Sequence, residues 1–316
     1  MGISVVIPVY NAEEFVADAV RSALRIKQVR QIILVEDRSP DNCLAICQDL
    51  AREYPDIVEL HTHPGRQQRG AGASRNLGIA HAKEQFIAFL DADDYYLPHR
   101  FTYPLEVLDR HPEIDYVVSP SQLEADYQQR NSKYTMMGKE ANNALGYLFP
   151  ALLTERYGYF DTNSIIIRTD SLKRLSKLFN PHLALHQDSE LWLRIAYKLR
   201  GYAENVTLPG SIVRRHSKNR VTHTNAASLS QYWEVVASEF QRFMLPSKLK
   251  RFIRIRRKHY RYLKEKSILS YWYLLYMRFY DSVVLSRMRH WNALLERQYV
   301  LPEPTMVVNE PERVLS

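Results

Sequence analysis

Three carboxylates, Asp91, Asp93 and Asp94, stand directly after the apolar run of residues 86–90 in QFIAFLDADDYYLP. Side chains alternate along an extended chain, so Asp91 and Asp93 project to the same side. Two carboxylates that close repel one another unless a hard divalent cation lies against them. Mn²⁺ and Mg²⁺ are held by one or two protein carboxylates together with substrate phosphates. The spacing therefore predicts a Mn²⁺ or Mg²⁺ site that a diphosphate ligand completes. A solvated acidic turn would account for an isolated D-x-D, but here the motif ends a strand whose apolar run has to be buried.

The elements that must position these groups alternate between strand and helix. ISVVIPVY, QIILVED, IVELHTH and QFIAFL read as strands, the first two apolar enough to be buried on both faces. Between them, Asn11 with Glu14 is expected to cap a first helix as a capping box. Ser39 with Pro40 is expected to open a second, and GASRNLGIAHAK forms a third. Such alternation predicts an α/β fold, a mostly parallel sheet with helices on both faces, whose ligands bind beyond the carboxyl ends of the strands. YNAEE, EDRSPD and DADD all fall at those ends, which argues for one shared site. Beyond Tyr95 the alternation becomes irregular, and from about Ser228 the pattern is helical, aromatic and basic. The expected division is a catalytic unit over residues 1–224, a helical segment over 225–300 and a Pro-rich tail over 301–316.

The 316 residues are 46% hydrophobic and 25% charged, a globular composition with room for one large domain. Two cysteines, Cys43 and Cys47, exclude a disulfide framework and suit a reducing cytoplasm; one helical turn apart, they read as buried helix residues. No signal peptide is expected, because Met1 runs directly into a strand. The apolar stretch SILSYWYLLYMRFYDSVVL carries Arg278 and Asp281 and reads as packed or interfacial, not as a span. The net charge of +8 is concentrated in KLKRFIRIRRKHYRYLKEK, residues 248–266. Three readings stay open for it: a solvated helix face, attraction to an anionic membrane, or nucleic-acid binding. No helix-turn-helix, zinc-finger or RNA-binding pattern supports the third, so no nucleic-acid partner is expected.

VVIPVYNAEEFVADAVRSAL, ILVEDRSPDN, GASRNLGIAHAKEQFIAFLDADD and HQDSELWLR, taken in order over roughly residues 2–220, resemble the family 2 glycosyltransferases of the GT-A fold. The resemblance implies a nucleotide-sugar donor, commonly a UDP-sugar, a bound Mn²⁺ or Mg²⁺, and transfer to an acceptor hydroxyl with inversion. By residue, it implies that Pro8, Val9 and Tyr10 flank the base and that Asp37 accepts a hydrogen bond from the uracil ring. Arg75 is implied near the phosphates. Asp91 is implied on the ribose side of the motif, Ala92 within the motif, and Asp93 on the metal. Asp188 is implied as the base, and His216, in VRRHSKN, as a group reaching the metal or diphosphate. A glycan or lipid-linked acceptor, peripheral contact with the inner face of a membrane and a homo-oligomer complete the expectations.

The residue chemistry agrees with these roles. Negative charge develops on the departing diphosphate, where a cation and Arg75 would stabilise it. Asp188 opens a helix whose dipole favours its ionised form, so it suits either a base or an N-cap. The chain departs from the family pattern at Glu36 (usually Asp), Arg38 (often Gly), Gln187 (usually Glu) and Val213 (usually aromatic). GAGASR is not G-x-G-x-x-G, and no P-loop, H-E-x-x-H or G-x-S-x-G occurs. Against the enzyme stand two other classes: a non-catalytic sugar- or partner-binding protein on the same fold, and a nucleic-acid binder using the basic helix.

Overall fold

The structure, a computed structural model, describes residues 1–125, 148–154, 160–204, 208–216 and 225–276. The boundary expected near Thr224 and the Pro-rich tail lie outside the described residues. In chain order the elements begin with β1 (Ile3–Val9), α1 (Val16–Leu24), β2 (Val29–Glu36), α2 (Cys43–Glu53), β3 (Val58–Thr62), α3 (Gly70–His81) and β4 (Phe86–Phe89). They continue with β5 (Tyr95–Tyr96), α4 (Thr102–Arg110), β6 (Tyr116–Val118), β7 (Ser121–Leu123), α5 (Leu148–Thr154), β8 (Ile165–Arg168) and α6 (Thr169–Lys173). The last are α7 (Gln187–Lys198), β9 (Gly201–Ala203), β10 (Ser211–Val213), α8 (Ala226–Phe240) and α9 (Ser247–Lys264), and residues 269–276 are again helical.

Seven strands form the central sheet in the order β3-β2-β1-β4-β8-β6-β9, with β8 alone running against the rest. Alternation along the strands sorts their apolar side chains onto two faces. Val6 pairs in register with Ile33 and Phe89, and all three enter one core; Val5, Ile32 and Ala88 enter the other. The first face is covered by α3, α7, α8 and α9, the second by α1, α2 and α4. Gly78 lets α3 lie directly on the sheet, since a Cβ there would meet Val6 Cγ1 at 2.3 Å. Cys43 and Cys47 are fully buried on α2, as expected, and burial pushes the Cys43 thiol up to about 12.

The two early helix starts differ from expectation. Asn11 does not cap α1: it takes the left-handed conformation at φ 53°, and the helix begins at Val16, after a turn closed on the Ala12 carbonyl. Asn tolerates that conformation better than most residues, and the loop leaving β1 uses it. Ser39 and Pro40 likewise precede α2, which starts at Cys43; Asp41 Oδ1 accepts the Cys43 N–H. Both segments serve the loop between strand end and helix, where Ser39 Oγ accepts the Asn11 N–H.

The C-terminal helices share the main core. Asn225 and Ser228 form a reciprocal capping box that starts α8, and Trp233, Phe240 and Phe252 join the core beneath α7. No helix among the described residues is long and apolar enough to cross a membrane.

Candidate active site

At the end of β4 the chain turns sharply: the Asp94 N–H donates to the Asp91 carbonyl at 3.0 Å. Oxygens of Asp91, Asp93 and Asp94 thereby come within 4.8 Å of one another. Burial, then the charge of Asp91, pushes the Asp93 carboxyl above its ordinary range; burial, then Asp93 and Asp91, pushes Asp94 well above it. The three groups are relieved differently. Asp94 is buried and satisfied, accepting from Asn163 Nδ2 (2.7 Å) and the Arg214 N–H (2.8 Å). Asp91 accepts from Arg75 Nη2 at 2.5 Å, and Asp93 lies 3.1 Å from His216 Nε2. Asp91 and Asp93 remain partly open to solvent.

Arg75 projects from α3 and is only 2% exposed. Its guanidinium lies 5.4 Å from the Phe179 ring centroid, and Asn76 holds Phe179 in place by bonding both its N–H and its carbonyl. Only one edge of the guanidinium is used by Asp91; Nε and Nη1 are buried with no hydrogen-bond partner. Unpaired buried donors on a cation are costly, and acceptor oxygens of an anion are the groups that satisfy them.

Asp37, next to the end of β2, is buried and accepts two backbone N–H bonds, from Arg69 (2.6 Å) and Gly70 (2.7 Å), at the start of α3. Gly70 sits at φ +83°, a conformation that turns its N–H toward the carboxylate. The Asp37 N–H in turn bonds the Val9 carbonyl, so Pro8, Val9 and Tyr10 at the end of β1 lie beside it. Val9 is buried and Tyr10 is exposed, with Ala92 buried in the acidic turn. Arg38 also occupies the left-handed region (φ 59°), the physical reason a glycine is at home there. Glu36 is buried and accepts the Ser39 N–H through Oε1.

Asp188 stands in the first turn of α7, half-buried, its Oδ1 accepting the Ser189 N–H. The preceding Gln187 packs against Gly72 of α3, 3.2 Å from where a Cβ would stand. The start of α7 is thus docked on the first turn of the helix that carries Arg75.

Several residues of this site were not legible in the sequence. Asn163, just ahead of β8, accepts the Asp91 N–H through Oδ1 (2.8 Å) while donating to Asp94 through Nδ2. Its own carbonyl is fixed by Nε and Nη2 of buried Arg100. Phe15 stacks on the His216 ring (centroids 4.7 Å, planes 22° apart). Arg214 lies over Tyr95 and Phe15 and pairs with Asp18 at 3.2 Å. Asn163 comes from TNSIII, which carries no chemical signal beyond a strand start, and Phe15 reads only as an apolar helix position.

A model of glycosyl transferase family 2 matches residues 4–174, more than half of the chain. The chain belongs to this family. It is 35% identical over 121 residues to the minor teichoic acid biosynthesis protein GgaB of Bacillus subtilis, covering 37% of this chain and 13% of that protein. It is 37% identical over 98 residues to the poly(ribitol-phosphate) beta-glucosyltransferase of Bacillus spizizenii, covering 30% and 15%. The chain thus aligns with only a small part of these relatives' length. Among solved structures it resembles residues 1–349 of S. aureus TarS in complex with UDP-GlcNAc, at TM-score 0.63 and 18% identity, over 83% of this chain and 73% of that one. It also resembles a Pyrobaculum calidifontis mannosyltransferase in complex with GDP-Man and Mn²⁺, at TM-score 0.57 and 15% identity, over 93% and 80%. The fold is GT-A.

Within this fold the acidic turn fits a hard divalent cation. Asp94 is consumed by hydrogen bonds, whereas Asp91 and Asp93 share a destabilising charge that a cation would neutralise. His216 stands close enough to share a ligand position with Asp93.

Proposed function

We propose that this family 2 protein is an inverting glycosyltransferase that moves a sugar from a UDP-sugar to an acceptor hydroxyl. The observation that carries the reading is Arg75, buried with one edge on Asp91 and two donors unpaired, beside a turn of under-compensated carboxylates. Together they form a cradle for a metal-bound diphosphate. In this reading the base lies against Pro8, Val9 and Tyr10, and Asp37, next to the end of β2, orients it. Asp91 faces the ribose, Ala92 keeps the turn tight, and Asp93 with His216 holds Mn²⁺ or Mg²⁺. That cation supplies charge neutralisation at the diphosphate.

The bond between the anomeric carbon and the diphosphate oxygen breaks, its electron pair staying on the diphosphate. Arg75, held beside the turn by Asp91, takes up part of that developing charge. The acceptor oxygen bonds the anomeric carbon from the opposite face, and its proton passes to Asp188. The acceptor in this reading is a hydroxyl of a glycan or lipid-linked chain, a reading supported by relatives named for teichoic acid biosynthesis and poly(ribitol-phosphate) glucosylation. The buried thiols Cys43 and Cys47 suit a reaction in the reducing cytoplasm.

The test is turnover of a panel of UDP- and GDP-sugars by the purified chain with Mn²⁺, followed as nucleotide release. Asp188→Asn should abolish transfer, by about 10²–10⁴-fold, while leaving nucleotide binding intact. A chain that binds sugar polymers but turns over no donor would overturn the enzyme reading.

A further inference from the structure

The basic residues of α9 divide into two groups by what they face. Arg257 and Arg261 turn toward Glu234 of α8, Arg261 at 2.8 Å, and are compensated there. Arg251, Arg254 and Lys258 stand at helical spacing on a different face of α9, where they line a cavity of about 410 Å³. Among the described residues, neither Arg254 nor Lys258 has an acidic partner. The far wall is aromatic: Trp272, Tyr273 and Tyr276 of the helical stretch 269–276. Lys258 Nζ lies 5.9 Å from the Tyr273 ring centroid, and Arg251 lies over Tyr276.

Beside this cleft lies an exposed apolar patch. Leu263, Ile268, Leu269, Tyr271, Trp272 and Leu275 are six of the ten large hydrophobic residues exposed among the described residues, Ile268 at 79% and Trp272 at 63%. Exposed apolar side chains clustered this closely mark an interaction surface. The cavity has the volume of a small-ligand site. It combines cations for a phosphate with aromatic rings, which favour the headgroup depth of a bilayer, and it borders apolar side chains that can enter the acyl boundary.

We propose that the cleft between α9 and residues 269–276 is a headgroup site for an anionic phospholipid, and that it seats the protein on a negatively charged membrane surface. Each basic residue near such a surface strengthens attachment, and salt weakens it. The proposal goes beyond the catalytic reading and does not depend on it, because lipid binding can be measured without turnover.

The experiment is co-sedimentation of the full chain with vesicles of phosphatidylcholine alone or with phosphatidylglycerol, at low and high salt. Binding is expected only to the anionic vesicles, and to fall at high salt. Because Arg254 is exposed and Lys258 lines the cleft, the double variant Arg254→Glu/Lys258→Glu should fold normally and bind at least about tenfold more weakly. Trp272→Ala should also weaken binding several-fold, with nucleotide binding unchanged in both variants. The proposal is overturned if the chain stays in the supernatant with anionic vesicles at low salt. It is equally overturned if both variants bind as the parent does, or if a soluble polyphosphate binds the cleft while vesicles do not. A dimer that Trp272→Ala dissociates, without vesicle binding, would assign the patch to a second copy instead.

Discussion

Two neighbouring regions of the sheet edge place acidic residues in nearly the same way and settle them differently. At β2 the chain ends in Glu36 and Asp37; at β4, one strand beyond β1, it ends in Asp91, Asp93 and Asp94. Asp37 is satisfied from within by two N–H groups at the start of α3, and one oxygen of Glu36 accepts the Ser39 N–H while the other faces Arg66 at 3.7 Å. At β4 only Asp94 is satisfied so. Asp91 relies on Arg75, Asp93 on His216, and the pair stays mutually repelling. Fixed backbone dipoles stabilise a carboxylate permanently and cost nothing further when ligand arrives. Carboxylates left under-compensated stabilise a cation instead, so Asp37 is fixed in place by the fold while Asp91 and Asp93 keep capacity for a cation.

The most severe test of this contrast is Asp93→Asn. With its charge required by a cation and not by the core, turnover should fall by about 10²–10³-fold while the melting temperature holds or rises slightly. The parent chain should gain thermal stability with Mn²⁺, by about 2.7 kcal/mol at a hundredfold excess over Kd, and Asp93→Asn should lose that gain. A variant that unfolds, or keeps full activity and its Mn²⁺ response, would break the comparison.

Asn163→Ala comes next. It strips the brace from the acidic turn, leaving the Asp91 N–H and an Asp94 oxygen buried and unpaired, at a cost of about 3 kcal/mol in denaturant unfolding. Donor turnover should fall as well, because the turn loses its shape. Full stability would show that the turn holds itself.

Asp37→Asn should act in the opposite sense to Asp93→Asn. Replacing one oxygen by an NH₂ sets a donor against the N–H of Arg69 or Gly70, lowering stability by about 1–2 kcal/mol with no change in the Mn²⁺ response.

The last test leaves the site and concerns a third carboxyl of neither kind. Glu204 Oε1 is inaccessible to water and unpaired, and burial pushes its carboxyl up to about 8 against the lowering influence of Arg100. A folded value above the unfolded value, about 4.3, means the protonated form is favoured in the fold. Its contribution to stability is therefore fully present below pH 4.3 and is lost as pH rises to about 8. Glu204→Gln should flatten that part of the stability profile, measured by unfolding between pH 5 and 8.5. An unchanged slope would show that the carboxyl reaches solvent.

Much of this protein is determined locally and was therefore legible in the sequence. Strand alternation, buried apolar runs and acidic strand ends depend on periodicity and on the cost of burying charge. These predicted the α/β fold, a mostly parallel sheet and the gathering of YNAEE, EDRSPD and DADD at the carboxyl ends of its strands. The roles expected of Tyr10, Asp37 and Arg75 came from the family resemblance. The helix starts at Asn11 and Ser39 were misread because a capping pattern is a short-range preference. The loops between β1 and α1 and between β2 and α2 bond to each other, and that outweighed it.

What tertiary structure alone decided is which polar groups are already spent. Asp94 looks like its neighbours until Asn163 and the Arg214 backbone, 69 and 120 positions away, bond it. His216 is an isolated histidine until β10 delivers it to Asp93 over a span of 123 residues and Phe15 stacks beneath it. The basic run on α9 is one charge cluster until α8 claims Arg257 and Arg261 and leaves Arg254 and Lys258 on the cleft. Residue type and spacing determine what a group can bond, but whether its bonds are already made depends on contacts between segments distant in the chain.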